Sequence, residues 1–282
     1  MSTKAKGTSV TQKLIALQKK VGVPYQLVAT AFLIERLVAR LTADERLRSA
    51  LVFKGGFVGL RVYRSPRYTV DLDALLIKAN LEKTLDAVKS AAAKDMDDGV
   101  WFHFEEQIDL ATQGEYGGIR QSYRAGIGER IKSVKKAQIV NFDLGIGDPI
   151  IPGPVSTKMP ALFSGDELSW SVYPLETMIA EKLHALIARG SANSRSKDIY
   201  DLHLFLPKAD PETLQSAVKK CFAYRKTGLP ESISSVLAGF NTAILEKGWK
   251  NAVASVPDAP KFQAVFDDLI DQLGELEERK PE

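Results

Sequence analysis

LVFKGGFVGLRVYRSPRYTVDLDALLI, residues 51–77, opens on an apolar run and breaks at Lys54-Gly55-Gly56. It closes in Val70-Asp71-Leu72-Asp73-Ala74-Leu75-Leu76. The closing part reads as a strand. Side chains alternate faces along a strand, so Asp71 and Asp73 share one face while Val70, Leu72 and Ala74 turn to the core. Two carboxylates held about 7 Å apart on one sheet face repel unless a cation lies between them. Hard divalent cations such as Mg²⁺ take such oxygen ligands, usually beside substrate phosphates. Paired glycines let the backbone approach a phosphate and offer it N–H groups. This stretch therefore suggests metal-assisted nucleotide chemistry. Taken alone, it fits equally well a solvated strand end carrying two exposed carboxylates.

The 282 residues are enough for one large domain or two ordinary ones. With 45% hydrophobic and 26% charged residues, the composition is that of a globular protein. The net charge of +3 says little about partners, so local clustering matters more. One cysteine, Cys221, excludes an internal disulfide framework and fits a reducing compartment. The polar start MSTKAKGTSVTQ lacks the apolar core of a signal peptide, and no run reaches the roughly 20 apolar residues of a membrane span. The expectation is a cytoplasmic protein with no membrane partner.

Residues 1–8 read as disordered. Helical spacing begins at Ser9, and a second helix runs from Pro24 to Leu41. Thr42 reads as the cap of a short helix ending at Ala50. Beyond the Asp71/Asp73 strand, an amphipathic helix spans 81–97. Strands are expected over 100–110, 118–125 and 136–144. In the last of these, Ile139, Asn141 and Asp143 share a face, so Asp143 becomes a third carboxylate if its strand neighbours that of Asp73. Gly145 to Pro149 reads as a turn, and Pro152, Pro154 and Pro160 as marks of an extended connection.

A helix is expected from Pro174 to Arg189, stopped by Gly190, followed by one opening near Asn193-Ser194-Arg195. Asp198 and Asp201 neighbour each other on the surface of that helix; the mix of Arg, Lys and Asp there fits a salt-bridge cluster as well as a site. Further helices are expected over 211–226, 230–248 and 260–279, with Cys221 in the core. Basic residues gather twice: Arg120, Arg124, Arg130, Lys132, Lys135 and Lys136, then Lys219, Lys220, Arg225 and Lys226. Each group is either solvated surface or a track for a nucleic-acid backbone.

Five motifs in order carry a resemblance. They are Lys54-Gly55-Gly56, Thr69-x-Asp71-x-Asp73, Asp143-x-Gly-x-Gly-Asp148, Glu181-Lys182-x-x-Ala185-x-x-x-Arg189 and Asn193-Ser-Arg-x-Lys-Asp198-x-x-Asp201-Leu202. Over about residues 24–206 the chain resembles the AbiEii/AbiGii-like nucleotidyltransferase toxins, within the DNA polymerase β-like nucleotidyltransferase superfamily. The resemblance implies an α+β fold: a minimal nucleotidyltransferase mixed sheet flanked by helices, with a helical C-terminal region. The corresponding domains are 1–160 and 161–282, the second contributing Lys and Asp to the active site.

The implied activity is metal-dependent transfer of a nucleotide from an NTP, with Mg²⁺ or Mn²⁺, to an acceptor such as a tRNA 3′ end or another RNA. The protein would be the toxin of a type IV-like toxin–antitoxin or abortive-infection system. Its partner would be a cognate antitoxin, often a winged-helix regulator. In this reading Asp71, Asp73 and Asp143 hold metal, and with Lys182 they form the catalytic set. Lys54, Gly55, Gly56, Arg67, Thr69, Lys182, Arg195 and Asp198 bind the nucleotide, and Asp148, Arg189 and Asp201 support them. One departure is Phe57, where a Ser or Thr often follows the glycines. It keeps open the alternative of a catalytically degenerate nucleotide- or RNA-binding protein.

Overall fold

The computed structural model describes residues 2–110 and 117–278. Seven strands form one mixed sheet: β1 (Leu51–Lys54), β2 (Asp71–Leu76), β3 (Val100–Asp109), β4 (Gly118–Ile127), β5 (Gln138–Ile146), β6 (Val155–Pro160) and β7 (Glu167–Val172). Their order is β3-β4-β5-β2-β1-β7-β6. Strands β2 and β5 run parallel, as do β1 and β7; the other pairs are antiparallel. The architecture is the α+β one expected, a mixed sheet with flanking helices. The chain divides into two compact units. The first holds residues 1–62, 68–147 and 155–172, and the second 63–67, 148–154 and 173–282.

The first unit is built on a buried helix. Helix α1 (Thr3–Val21) starts at Ser2, whose hydroxyl accepts from the Ala5 N–H, and ends at Gly22 in the left-handed region. The disorder expected over residues 1–8 is thus replaced by helix from Thr3; Met1 lies outside the described residues. Helix α2 (Tyr25–Thr42) is buried continuously from Val28 to Thr42. Such burial puts charged side chains inside, and each has partners. Arg40 forks Asp98 at 2.8 and 3.0 Å and donates to the Val100 carbonyl at 2.8 Å. Glu35 meets Arg36 and Arg61 at 3.0 Å each and accepts from the Leu162 N–H at 3.1 Å. Burial raises the Glu35 pKa against the pull of Arg61.

Thr42 belongs to α2. The short helix α3 (Glu45–Ala50) is capped instead by Asp44, whose carboxylate accepts from the Arg46 and Leu47 N–H groups. Helix α4 (Gly55–Arg61) follows β1 directly. Helix α5 (Leu81–Ala92) stops five residues short of its expected end at Asp97. Leu72, Ala74, Val140, Phe142 and Leu144 are fully buried on one sheet face, as alternation requires. Val70 precedes the strand and is 49% exposed, so its expected core position fails. Gly145 and Ile146 continue β5 rather than turning, because both pair with β2. The expected extended connection contains β6, and β6–β7 forms a hairpin at the sheet edge.

The second unit carries helices α6 (Leu175–Arg189), α7 (Ser196–Phe205), α8 (Pro211–Tyr224), α9 (Ile233–Ala238), α10 (Ala243–Ala252) and α11 (Phe262–Glu278). The single helix expected over 230–248 is two, separated at Gly239 to Thr242. Helix α11 is described as far as Glu278; Arg279, its expected end, lies outside the described residues. Trp249 packs edge-on against Tyr200 and Phe262, and Phe262 stacks on Phe266, joining α7, α10 and α11 through aromatic faces. Cys221 is buried, as its apolar helix position predicts.

Candidate active site

Strand register gathers the carboxylates. Asp73 on β2 lies directly opposite Asp143 on β5, and Asp71 opposite Asn141. On the outer sides, Lys54 of β1 faces Asp73 and Arg120 of β4 faces Asp143. Paired residues project to the same face, so one row across four strands reads Lys54, Asp73, Asp143, Arg120. Two anions in adjacent positions are flanked by two cations. A second row holds Asp71, Asn141 and Ser122. Ser122 donates to the Asn141 carbonyl oxygen at 3.0 Å, and the Asn141 amide donates to Asp71 Oδ1 at 3.0 Å. This chain of hydrogen bonds fixes the Asp71 rotamer. All three aspartates are half-buried.

Arg120 holds Asp143 in a fork, Nε to Oδ1 and Nη2 to Oδ2, both at 2.7 Å. That hydrogen bonding raises the Arg120 pKa, with Asp71 and Asp73 adding to the effect at longer range. In the sequence Arg120 is one member of a basic cluster. Nothing local marks its role, because its partner stands 23 residues away on another strand.

The glycine turn packs against the carboxylates. Gly55 has φ +73°, and a Cβ placed there would lie 2.0 Å from Asp73 Oδ2. Only glycine brings the backbone this close to that carboxylate. A Cβ on Gly145 would lie 3.9 Å from Lys54 Nζ, which places the ammonium beside β5. Phe57 is fully buried and meets Trp170 edge-on at 6.0 Å between ring centres, so its ring belongs to the core. Thr69 is half-buried, its hydroxyl 3.5 Å from the Asp71 backbone.

Of the predicted residues in the second unit, Lys182, Asp198, Asp201, Arg67 and Arg195 meet one another. Lys182 on α6 donates to Asp198 Oδ1 and Asp201 Oδ2 on α7, each at 2.7 Å. Arg67 forks Asp201 at 2.9 and 2.7 Å, and Arg195 pairs with Asp198. Asp198 and Asp201 are buried, not on the helix surface as expected. Burial favours their neutral forms, but Lys182 with Arg195 at Asp198, and Arg67 with Lys182 at Asp201, overcome it and hold both below the usual carboxylate range. Desolvation works against the Lys182 charge, yet the two aspartates raise its pKa. Asn193 shapes the entry to α7, its side-chain oxygen accepting from the Arg195 N–H at 2.8 Å.

Asp148 belongs to a different network. It accepts from Arg225 at 3.0 and 3.2 Å, and Arg225 also reaches Glu181 at 3.6 Å. Arg225 further approaches His184 Nδ1 at 3.3 Å. Burial, then the Arg225 charge, push the His184 pKa down to about 4. Arg189 is exposed on the last turn of α6.

The basic clusters are thinner than the sequence suggests. Arg120 is taken by Asp143, Arg124 by Glu105 and the Lys135 and Ala137 carbonyls, and Arg225 by Asp148. Arg130, Lys132, Lys135 and Lys136 are exposed between β4 and β5, as are Lys219, Lys220 and Lys226 at the end of α8.

Three carboxylates on adjacent strands offer the hard oxygen donors a divalent cation takes, so the donor chemistry fits such an ion. Among the described residues, no group of three or more His, Cys, Asp and Glu side chains is arranged to hold one, and Asp143 is turned to Arg120. No helix among the described residues is long and apolar enough to cross a membrane.

Two crystal structures from Helicobacter pylori share the fold. JHP933 aligns over 91% of this chain and 94% of its own, with TM-score 0.50 and 16% identity. A candidate nucleotidyltransferase aligns over 91% and 97%, with TM-score 0.52 and 17% identity. A search of curated proteins gave no significant match. The model of the AbiEii nucleotidyl transferase toxins of type IV toxin–antitoxin systems matches residues 36–268, the span that carries the glycine turn, the carboxylate rows and the Lys182 network. The chain is a member of that family and a nucleotidyltransferase.

Proposed function

We propose that this toxin transfers a nucleotide from an NTP to the 3′ end of an RNA, tRNA being the acceptor class the resemblance favours, with a divalent cation held by Asp71, Asp73 and Asp143. The observation that carries the reading is the placement of Asp73 opposite Asp143, with Asp71 on the same face. A bound cation supplies charge neutralisation at the phosphate oxygens and acidifies the attacking hydroxyl. Asp143 helps activate that hydroxyl. The hydroxyl oxygen attacks the α-phosphorus in line as its proton leaves, a new P–O bond forms, and the bond to pyrophosphate breaks. Gly55 and Gly56 lend backbone N–H groups to phosphate, beside the Lys54 ammonium. Lys182, Arg195 and Asp198 are assigned to the nucleotide, and Arg67 and Thr69 to phosphate contact, on the resemblance alone. Mg²⁺ or Mn²⁺, a cognate antitoxin and a cytoplasmic setting belong to the same reading.

The alternative of a degenerate binding protein rests on Phe57. Its ring lies in the core against Trp170, so the substitution adds no bulk to the carboxylate face and the enzyme reading is favoured. The test uses labelled NTPs with bulk RNA. Asp73→Asn is expected to lower transfer and pyrophosphate release by at least ~10²-fold with its thermal unfolding unchanged. Equal transfer by mutant and wild type overturns the assignment; NTP binding without turnover in the wild type favours the binding protein.

A further inference from the structure

We propose that Arg120 is a positioning residue that reserves Asp143. Its guanidinium takes both carboxylate oxygens and competes for them with a divalent cation entering beside Asp73. The inference rests on the metal-dependent reading above.

A bidentate guanidinium is the strongest single partner a carboxylate finds among side chains, and here both contacts are short at 2.7 Å. It also sets a positive charge against the position a metal ion would approach, so the two repel. Without it, Asp143 would stand unneutralised beside Asp73, directly opposite on the neighbouring strand. Arg120 thus offsets the repulsion between the two carboxylates.

The surroundings let it move. The Arg120 side chain is 30% exposed, and its β3 neighbour in the row, Ile108, is 43% exposed. One row along the same face, Glu106 stands opposite Ser122, within about 7–8 Å of Arg120 on the diagonal and so within reach of a long side chain. Glu106 is the seat the displaced guanidinium would take. Arg124, four residues on in the same strand, differs: Glu105 and two backbone carbonyls pin it, so it is the matched control with equal charge.

The test is Mn²⁺ titration followed by electron paramagnetic resonance, without nucleotide, on wild type, Arg120→Gln, Arg120→Gln/Asp143→Asn and Arg124→Gln. Arg120→Gln is expected to bind Mn²⁺ about tenfold more tightly, since a competing cation is gone. The gain disappears in the double variant, and Arg124→Gln stays within about twofold of wild type. An unchanged affinity in Arg120→Gln overturns the proposal while leaving the metal reading intact. An equal gain in Arg124→Gln, or one that survives in the double variant, overturns it as well. Failure of every variant and the wild type to bind Mn²⁺ sinks both readings. Should Arg120→Gln not fold, Arg120→Lys takes its place, because lysine keeps the charge but cannot fork. A smaller gain is then expected, and none at all overturns the proposal.

Discussion

Gly55 lies so close to Asp73 that a methyl group on the glycine would sit 2.0 Å from the carboxylate Oδ2. The turn after β1 and the carboxylate of β2 are therefore one construction: the backbone at Gly55 closes the space beside the acid, in a φ of +73° that glycine adopts without strain. Gly55→Ala meets both a disfavoured φ and this contact. It is expected to destabilise the fold by about 1–3 kcal/mol and to lower transfer far more than that loss explains. Gly153→Ala, which has open space around it, serves as the control. Chemical denaturation and transfer assays on the two variants check this.

Lys182 is expected to hold the second unit together. Its ammonium joins α6 to two buried aspartates of α7. Lys182→Met leaves Asp198 and Asp201 short of a cation, a change worth about 3–5 kcal/mol. Urea unfolding reads this directly. The depressed pKa values of both aspartates place the associated stability above their unfolded value of about 3.9, and it is lost as pH falls below that value through their folded pKa values.

His184 gives a separate pH signature. Its pKa is lowered to about 4 from an ordinary value of 6.5. A folded-state pKa below the unfolded one means the unfolded chain binds the proton first. Stability from this group is therefore complete above pH 6.5 and falls as pH drops through the window from 6.5 to 4. The ring is buried, and a shift of this size corresponds to a loss of about 3 kcal/mol. His184→Gln should flatten the melting temperature over that range. A wild-type melting temperature with no slope there contradicts it.

RNA contact is expected from the exposed loop between β4 and β5. Arg130, Lys132, Lys135 and Lys136 replaced together by Ala should weaken RNA binding, not NTP binding. The salt slope should fall by about 0.7–0.9 for each phosphate that these side chains cease to neutralise. Lys219 and Lys220, exposed on α8, make a second set for the same measurement. Arg124→Ala should act through stability, since its donors already serve Glu105 and backbone carbonyls.

The period-two alternation of Asp71 and Asp73, the glycine break before them and the helix start near Asp198 are legible in the sequence because each depends on residues a few positions apart. Local chain geometry alone puts Asp71 and Asp73 on one face. The third acid needs more. Asp143 is 70 residues from Asp73, and their alignment follows from strand register, which is set by burying Leu72, Ala74, Phe142 and Leu144 on the opposite face. Partner choice among charges is likewise decided in three dimensions. Arg120, Arg124 and Arg225 look alike in a row of basic residues, yet each is matched to a carboxylate brought in from another part of the chain. The same holds for Lys182 and Arg67, whose partners lie 19 and 134 residues away. The sequence by itself determined the family, the sheet-and-helix class and the first two acids. Only the tertiary structure decided which cation answers which anion, because Coulomb attraction acts through space and the packing of strands and helices fixes those distances.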